Sequence, residues 1–295
     1  MKNFSFVILT FNEEIHLPRL LQSIEALQAP VFILDSGSTD KTLDIASTHG
    51  ATVAYHEFEN HPRQWEFALN CFQIQTPWII GLDADHVVSP ELFDLLKNFD
   101  NQQIPENVKG IYFNRKNFFK GRWLKHGGYF PKYMLKMFRT GQGKSDINEN
   151  SDHRFIVEGE TIIWKKGYLL EENLKENDIR FWIEKHNRYS DLLAREEVER
   201  IKQLRLQTNK PRFFGSPDER IAFLKNLWWQ VPLYWRVFFY FFYRFFILLG
   251  FLDGKQGRIF HFMQAFWFRL LIDIKIEELL KKEKDISSFS KKDSD

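Results

Sequence analysis

The chain has 295 residues, enough for one large or two modest domains with a sizeable core. Its 41 Lys and Arg residues nearly balance 39 Asp and Glu, which argues against a dedicated nucleic-acid binder. The single cysteine, Cys71, excludes an intramolecular disulfide and a cysteine-based zinc site.

Met1-Lys2-Asn3 leads straight into a β-rich run, with no apolar leader and small-residue cleavage site, so the domain is expected in the cytoplasm. That run, Phe4 to Thr10, ends at Phe11-Asn12-Glu13-Glu14 and is followed by a helical pattern with Leu17, Leu20, Leu21 and Ile24 on one face. Val31 to Leu34 reads as a second strand ending at Asp35-Ser36-Gly37-Ser38-Thr39-Asp40, and a second amphipathic segment carries Leu43, Ile45 and Ala46. Thr52 to Tyr55 is a third strand, Trp65 to Cys71 a helix, and Trp78 to Leu82 a fourth strand. Such alternation implies right-handed crossovers and a mainly parallel α/β sheet flanked by helices.

Polar residues gather at the C-terminal ends of strands one, two and four, where open α/β sheets bind ligands. After the fourth strand come Asp83 and Asp85, two hard oxygen donors one residue apart. They suit Mg²⁺ or Mn²⁺, which take one or two protein carboxylates and fill the remaining positions with water and phosphate oxygens. A plainer alternative makes Asp85 the cap of a helix starting at Pro90-Glu91. Capping likewise accounts for Ser38, Thr39 and Asp40, but not for an Asp at the last residue of a buried strand. A carboxylate at Asp35 can accept hydrogen bonds from a base N–H and a ribose hydroxyl. Neither Gly-x-Gly-x-x-Gly nor Gly-x-x-x-x-Gly-Lys-Ser is present, which disfavours a dinucleotide oxidoreductase and a phosphate-cradling loop.

Thr10-Phe11-Asn12-Glu13-Glu14, Ile33-Leu34-Asp35-Ser36-Gly37-Ser38-Thr39-Asp40 and Gly81-Leu82-Asp83-Ala84-Asp85, in this order, resemble the family 2 glycosyltransferases of GT-A fold. The likeness extends over residues 4–190 and is strongest in the first 90. It implies that Thr10, Asn12, Glu13 and Asp35 hold the nucleoside, that Asp83 lies near the ribose, and that Asp85 ligates the cation on the diphosphate. Arg63 and Gln64 fall in the stretch that faces the nucleotide in that family. Ser36 stands where many members carry a second Asp.

Tyr133 to Arg139 reads as a further strand, followed by a polar loop. The subgroup that resembles bacterial lipopolysaccharide-core and exopolysaccharide transferases has an acidic residue beside a His here. Asp152-His153 matches in type, although Glu is the usual acid. The resemblance makes Asp152 the base that deprotonates the acceptor hydroxyl in an inverting transfer, with Glu149 and Glu158 as competitors and a solvated charged loop as the plainer alternative; His153 is either a third cation ligand or structural. Lys185-His186-Asn187-Arg188-Tyr189 also resembles that subgroup. It is either a helix packed beneath the acceptor cleft or a set of cations for a diphosphate or lipid head group.

An exposed helix over residues 191–207 leads to hinge-like Pro and Gly residues, and residues 237–252 are apolar all round apart from Arg244 and the tyrosine hydroxyls. This run is shorter than a spanning helix requires. With the aromatics at 228–235 and 260–268 it predicts a helical platform on the cytoplasmic face of a membrane. The expected division is a GT-A catalytic domain over 1–207, an aromatic-rich membrane-associating helical region over 208–280, and a charged disordered tail over 281–295. The expected partners are a nucleotide-diphosphate sugar, a glycan or lipid-linked acceptor and a membrane surface, with no nucleic acid. A nucleotidyltransferase of similar fold and a non-catalytic membrane-bound scaffold are the rival readings.

Overall fold

The computed structural model describes residues 2–147, 153–202 and 211–292, with side chains as far as Glu283. The chain divides into two compact units, residues 2–125 with 129–174 and residues 126–128 with 175–292.

The first unit is built on a sheet whose strands are β1 (Phe4–Thr10), β2 (Val31–Asp35), β3 (Thr52–Tyr55), β4 (Trp78–Asp83), β5 (His86–Val88), β6 (Val108–Phe119), β7 (Arg122–Trp123), β8 (Tyr133–Arg139) and β11 (Glu160–Glu171). Strands β9 (Gly143–Ser145) and β10 (Phe155–Val157) form a separate antiparallel pair. Among the described residues the order is β3-β2-β1-β4-β8-β6-β11-β5, with β7 hairpinned onto β6. Strands β3, β2, β1 and β4 run parallel, as expected from the apolar runs separated by helices.

Beyond β4 the sheet departs from the expected mainly parallel arrangement. Strand β8 is antiparallel to both β4 and β6, and β5 is antiparallel to β11. The chain reverses through the β6–β7 hairpin and returns as β8, with no helical crossover to bring it round in parallel. The result is a Rossmann-like GT-A fold with a curled mixed sheet.

Among the described residues four α-helices belong to this unit: α1 (Leu17–Ile24), α2 (Thr42–Thr48), α3 (His61–Cys71) and α4 (Pro90–Lys97). Helix α3 begins four residues before the expected Trp65, because the Asn60 side chain accepts the Arg63 N–H and Pro62 occupies the first turn. One core cluster joins Phe6, Ile8, Leu20, Trp78, Ile80, Ile111 and Met137, and a second joins Val7, Leu34, Trp65, Phe138 and Phe155. Gly81 in β4 admits the Phe155 ring: a Cβ there would stand 2.4 Å from Phe155 Cζ. The Trp65 ring of α3 lies against the same glycine, with Cζ3 3.2 Å from that Cβ.

The second unit is helical: α5 (Ile179–Ile201), α6 (Pro217–Gln230), α7 (Trp235–Phe242), α8 (Gly254–His261) and α9 (Phe268–Lys292). Two expected segments merge into α5, whose Asp178 cap accepts the Arg180 N–H. Its buried Ala194 and Val198 pack with Phe268, Ile272 and Ile276 of α9, so α5 belongs with the C-terminal helices. Helix α9 continues through the charged stretch expected to be disordered from 281, and Glu277 and Lys281 pair one turn apart on it.

The apolar run 237–252 is not one helix. A π-helical turn, Tyr243–Ile247, follows α7, and Leu249 takes a left-handed φ of 59°. Among the described residues no single helix is long and apolar enough to cross a membrane. One pair bent by 67°, Trp235–Ile247 with Gly250–Glu283, has the length and composition together.

Around α7 polarity is turned inside out. Arg236, 3% exposed, is hydrogen-bonded through Nε to Asp273 Oδ1 at 2.9 Å and faces Glu197 at 3.5 Å. Arg244 donates to the Tyr240 hydroxyl at 2.9 Å, and Arg269 lies over the same ring at 5.4 Å. Trp235, Phe238, Phe239, Phe242 and Phe246, at helical spacing, are all about half exposed or more. The cations point inward and the rings outward.

Candidate functional site

The loops after β1 and β2 are tied together by side chains that the sequence had nominated for the nucleoside. Asp35 is the hub. It is 2% exposed, and its Oδ1 accepts the N–H groups of Gly37 at 2.9 Å and Ser38 at 2.7 Å. Its Oδ2 accepts the hydroxyls of Thr10 at 2.7 Å and Ser38 at 2.6 Å. An ionised carboxylate offers about four acceptor positions, and this loop takes all of them.

Asn12 holds the other side of the crossing. Its φ of 55° is left-handed, a region asparagine enters more readily than most residues. Its N–H donates to Ser38 Oγ at 2.8 Å and its Oδ1 accepts the Thr39 N–H at 2.8 Å. Ser38 and Thr39 therefore join the two loops, while Asp40 accepts the Thr42 N–H at the start of α2. Glu13 donates its N–H to Thr42 Oγ1 at 2.7 Å, and its carboxylate meets Nδ1 of buried His16. The Leu174 N–H donates to His16 Nε2 at 2.8 Å, which leaves the ring proton on Nδ1 and directs it to Glu13.

Gln64, 1% exposed at the start of α3, braces the β2 and β3 loops. Its Nε2 donates to Ser36 Oγ at 2.9 Å and to the His56 carbonyl at 3.0 Å, and its Oε1 meets His56 Nδ1 at 2.8 Å. Arg63, next to it, is instead exposed and paired with Glu59 at 3.3 Å.

Asp83 and Asp85 leave the end of β4 together. Helix α4 is capped by Ser89, whose hydroxyl accepts the Leu92 N–H at 3.3 Å, so Asp85 is not its cap. Asp83 has a partner the sequence did not announce: Lys136 of β8, 3% exposed, donates to its Oδ2 at 2.8 Å. Burial works to raise the Asp83 pKa, but the Lys136 ammonium, with His86 and His61 near, overrides it and holds the carboxyl well below the usual range.

His86 is fully buried between two carboxylates. It accepts the Asp83 N–H at Nδ1, 3.0 Å, so its proton sits on Nε2, 3.3 Å from Glu171 Oε2 and 3.7 Å from Asp83 Oδ2. Arg115 Nη1 bonds Glu171 Oε2 at 2.5 Å. Burial opposes ionisation of Glu171, and Arg115 and His86 outweigh it, so its pKa also falls far below normal. Sequence reasoning assigned no role to Lys136, His61, His86, Arg115 or Glu171, although His86 directly follows the acidic pair and Glu171 opens a stretch that resembles the subgroup.

His153 stacks on Trp65 with centroids 5.2 Å apart and meets Ser145 Oγ at 3.2 Å. Glu158 is exposed and paired with Lys144 at 3.1 Å. Asp152 and Glu149 lie outside the described residues. Among the described residues no three His, Cys, Asp or Glu side chains converge to cage a metal ion. The donor chemistry still fits a hard divalent cation, because Mg²⁺ and Mn²⁺ use one or two carboxylates beside phosphate oxygens and water.

The fold defines an α/β protein of GT-A type. The sequence profile of glycosyl transferase family 2 matches residues 5–156, just over half the chain, and the chain belongs to that family. An uncharacterized glycosyltransferase of Rickettsia typhi is 35% identical over 94 residues, 32% of each chain, so the matched part spans about a third of that relative. One of Rickettsia felis is 26% identical over 298 residues, covering 98% of this chain and 95% of its own. Among solved structures, S. aureus TarS 1–349 aligns with a TM-score of 0.42 at 15% identity, over 96% of this chain and 92% of that one. Glucosyl-3-phosphoglycerate synthase from Mycobacterium tuberculosis with Mn²⁺ and uridine diphosphate aligns with a TM-score of 0.30 at 22% identity, over 41% and 44%.

Proposed function

We propose that the protein is an inverting glycosyltransferase that moves a sugar from a nucleoside diphosphate, UDP being the first choice, to a hydroxyl of a glycan or lipid-linked acceptor in cell-envelope polysaccharide synthesis. The observation that carries this reading is the Asp83–Asp85 pair at the end of β4, where Ser89 rather than Asp85 caps α4, beside the braced loops of β1 and β2.

The nucleoside lies against the Thr10, Asn12, Glu13 and Asp35 crossing. Asp35 and Gln64 act there mainly by shaping the loops, since their polar atoms are already engaged. Asp83, kept ionised by Lys136, faces the ribose. Asp85, with Asp83 beside it, would hold a divalent cation, Mg²⁺ or Mn²⁺, which supplies positive charge for the leaving diphosphate when bound. Asp152 accepts the proton of the acceptor hydroxyl. The oxygen attacks the anomeric carbon from the face opposite the diphosphate, the bond to the diphosphate breaks with its electron pair, and the configuration inverts. His153 is held beside Trp65, where it orients this loop or adds a cation ligand.

The outward aromatic face of α7 rests on the cytoplasmic surface of a membrane and brings the enzyme to a lipid-linked acceptor. Lys255, Arg258, Ile259 and Phe262, exposed at helical spacing on and just after α8, add charge suited to anionic head groups.

The test is donor hydrolysis with a panel of nucleotide sugars, read by the nucleotide released, with and without Mn²⁺. One donor should be hydrolysed in the wild type and spared in Asp85→Ala. Equal turnover by Asp85→Ala and the wild type sinks the assignment of the acidic pair.

A further inference from the structure

The acidic pair is not a plain pair of anions. Lys136 projects from β8, the strand antiparallel to β4, and its ammonium is hydrogen-bonded to Asp83. The rings of Trp65 and Phe155 stand 5.9 and 5.7 Å from it. Those rings and its burial keep the ammonium from swinging into water. Burying an ammonium costs several kcal/mol unless it is paired, so the fold sets this charge against Asp83 at some expense.

We propose that Lys136 makes cation uptake conditional on the nucleotide. Its charge offsets that of Asp83, so the acidic pair alone attracts a divalent ion less than two carboxylates without this ammonium would. Only when a diphosphate adds its own negative oxygens does the site attract the ion strongly. The inference rests on the cation role given to Asp85 above. It agrees with the absence of a three-ligand cage among the described residues. It also means the cation enters with the nucleotide rather than before it. An ammonium within about 6 Å of a divalent ion opposes its binding by roughly tenfold or more, even at a well-screened site.

Free Mn²⁺ measured by electron paramagnetic resonance, in titrations of the full chain, tests this without any turnover. The wild type should bind Mn²⁺ alone weakly and gain about tenfold or more in affinity when UDP is saturating. Lys136→Gln should bind Mn²⁺ alone about tenfold or more tighter than the wild type and lose most of the dependence on UDP. Lys136→Arg should behave as the wild type. A folded Lys136→Gln, checked by circular dichroism, with unchanged affinity for Mn²⁺ alone overturns the proposal.

If Lys136→Gln does not fold, the wild type against Asp85→Ala decides. With Mn²⁺ alone both should bind weakly, and tight binding to the wild type that Asp85→Ala abolishes overturns the proposal while leaving the cation site itself in place. No binding to the wild type even with UDP removes both the cation site and the role of Lys136.

Discussion

Removing the Asp35 carboxylate should loosen the nucleotide-facing loop before it touches any ligand. Four hydrogen bonds end on this one group, two from backbone N–H groups and two from hydroxyls. Bonds to a charged acceptor contribute about 1.5–3 kcal/mol each when removed singly. The four are not additive, and Gly37 and Ser38 are only half-buried, so water recovers part of the loss. We expect Asp35→Ala to lower stability by about 3 kcal/mol in urea unfolding. Asp35→Asn keeps an oxygen for the Gly37 and Ser38 amides and forces only the two hydroxyls to turn, so it should lose about 1 kcal/mol. Hydrogen exchange gives the local view: the Gly37 and Ser38 amides should exchange faster in Asp35→Ala and stay close to wild type in Asp35→Asn. Titration calorimetry with UDP should follow the same order. An Asp35→Ala protein of wild-type stability, or equal losses in the two variants, would refute the role of the carboxylate as loop organiser.

Asp83 and Glu171, whose folded pKa values are held below the unfolded ones near 4, should contribute to the acid limb of stability. Their contribution is fully present above about pH 5 and is lost as pH falls through the carboxylate range, so Asp83→Asn should show a flatter decline of Tm between about pH 5 and 3; a decline parallel to the wild type contradicts this. Replacing Phe239 and Phe242 by Glu should abolish pelleting with anionic liposomes at nearly unchanged Tm, because both rings are already exposed. Undiminished liposome binding would place the membrane contact elsewhere. Asp152→Asn should retain UDP affinity and lose about 10²–10⁴-fold in turnover; a loss under about tenfold moves the base to Glu149 or Glu158.

What the sequence disclosed was whatever local pattern encodes. The apolar runs of β1, β2 and β4 and the polar residues at their ends were readable because a strand and the loop leaving it are contiguous. Thr10, Asn12, Glu13 and Asp35 do meet at one crossing. The partners of the acidic pair were not readable, since Lys136 meets Asp83 across 53 residues and Glu171 meets His86 across 85. Only the register of β8 against β4, and of β11 against β5, brings them together. Arg63 and Gln64 show the finer limit: adjacent on α3, they face opposite ways, one into solvent and one into the loops. The break after α7 was hidden because a run that is apolar on every side has no periodicity to interrupt. Residues 185–189 turned out to serve packing in part, with His186 stacked on Trp182 at 3.5 Å.

Residues 126–128 have their partners far down the chain. The His126 N–H and ring are held by Asp253, the Gly127 N–H donates to the Leu248 carbonyl at 2.8 Å, and Gly127 sits so close to His261 that a Cβ would stand 2.0 Å from its ring. During synthesis these three residues leave the ribosome long before any of those partners exist. At typical elongation rates the wait is roughly ten seconds. Through that interval the chain between Lys125 and Tyr129 is tethered to nothing it will later hold, and the nascent sheet must pair β6 with β8 around it. A prematurely terminated chain would leave these three residues without the partners that hold them in the full fold.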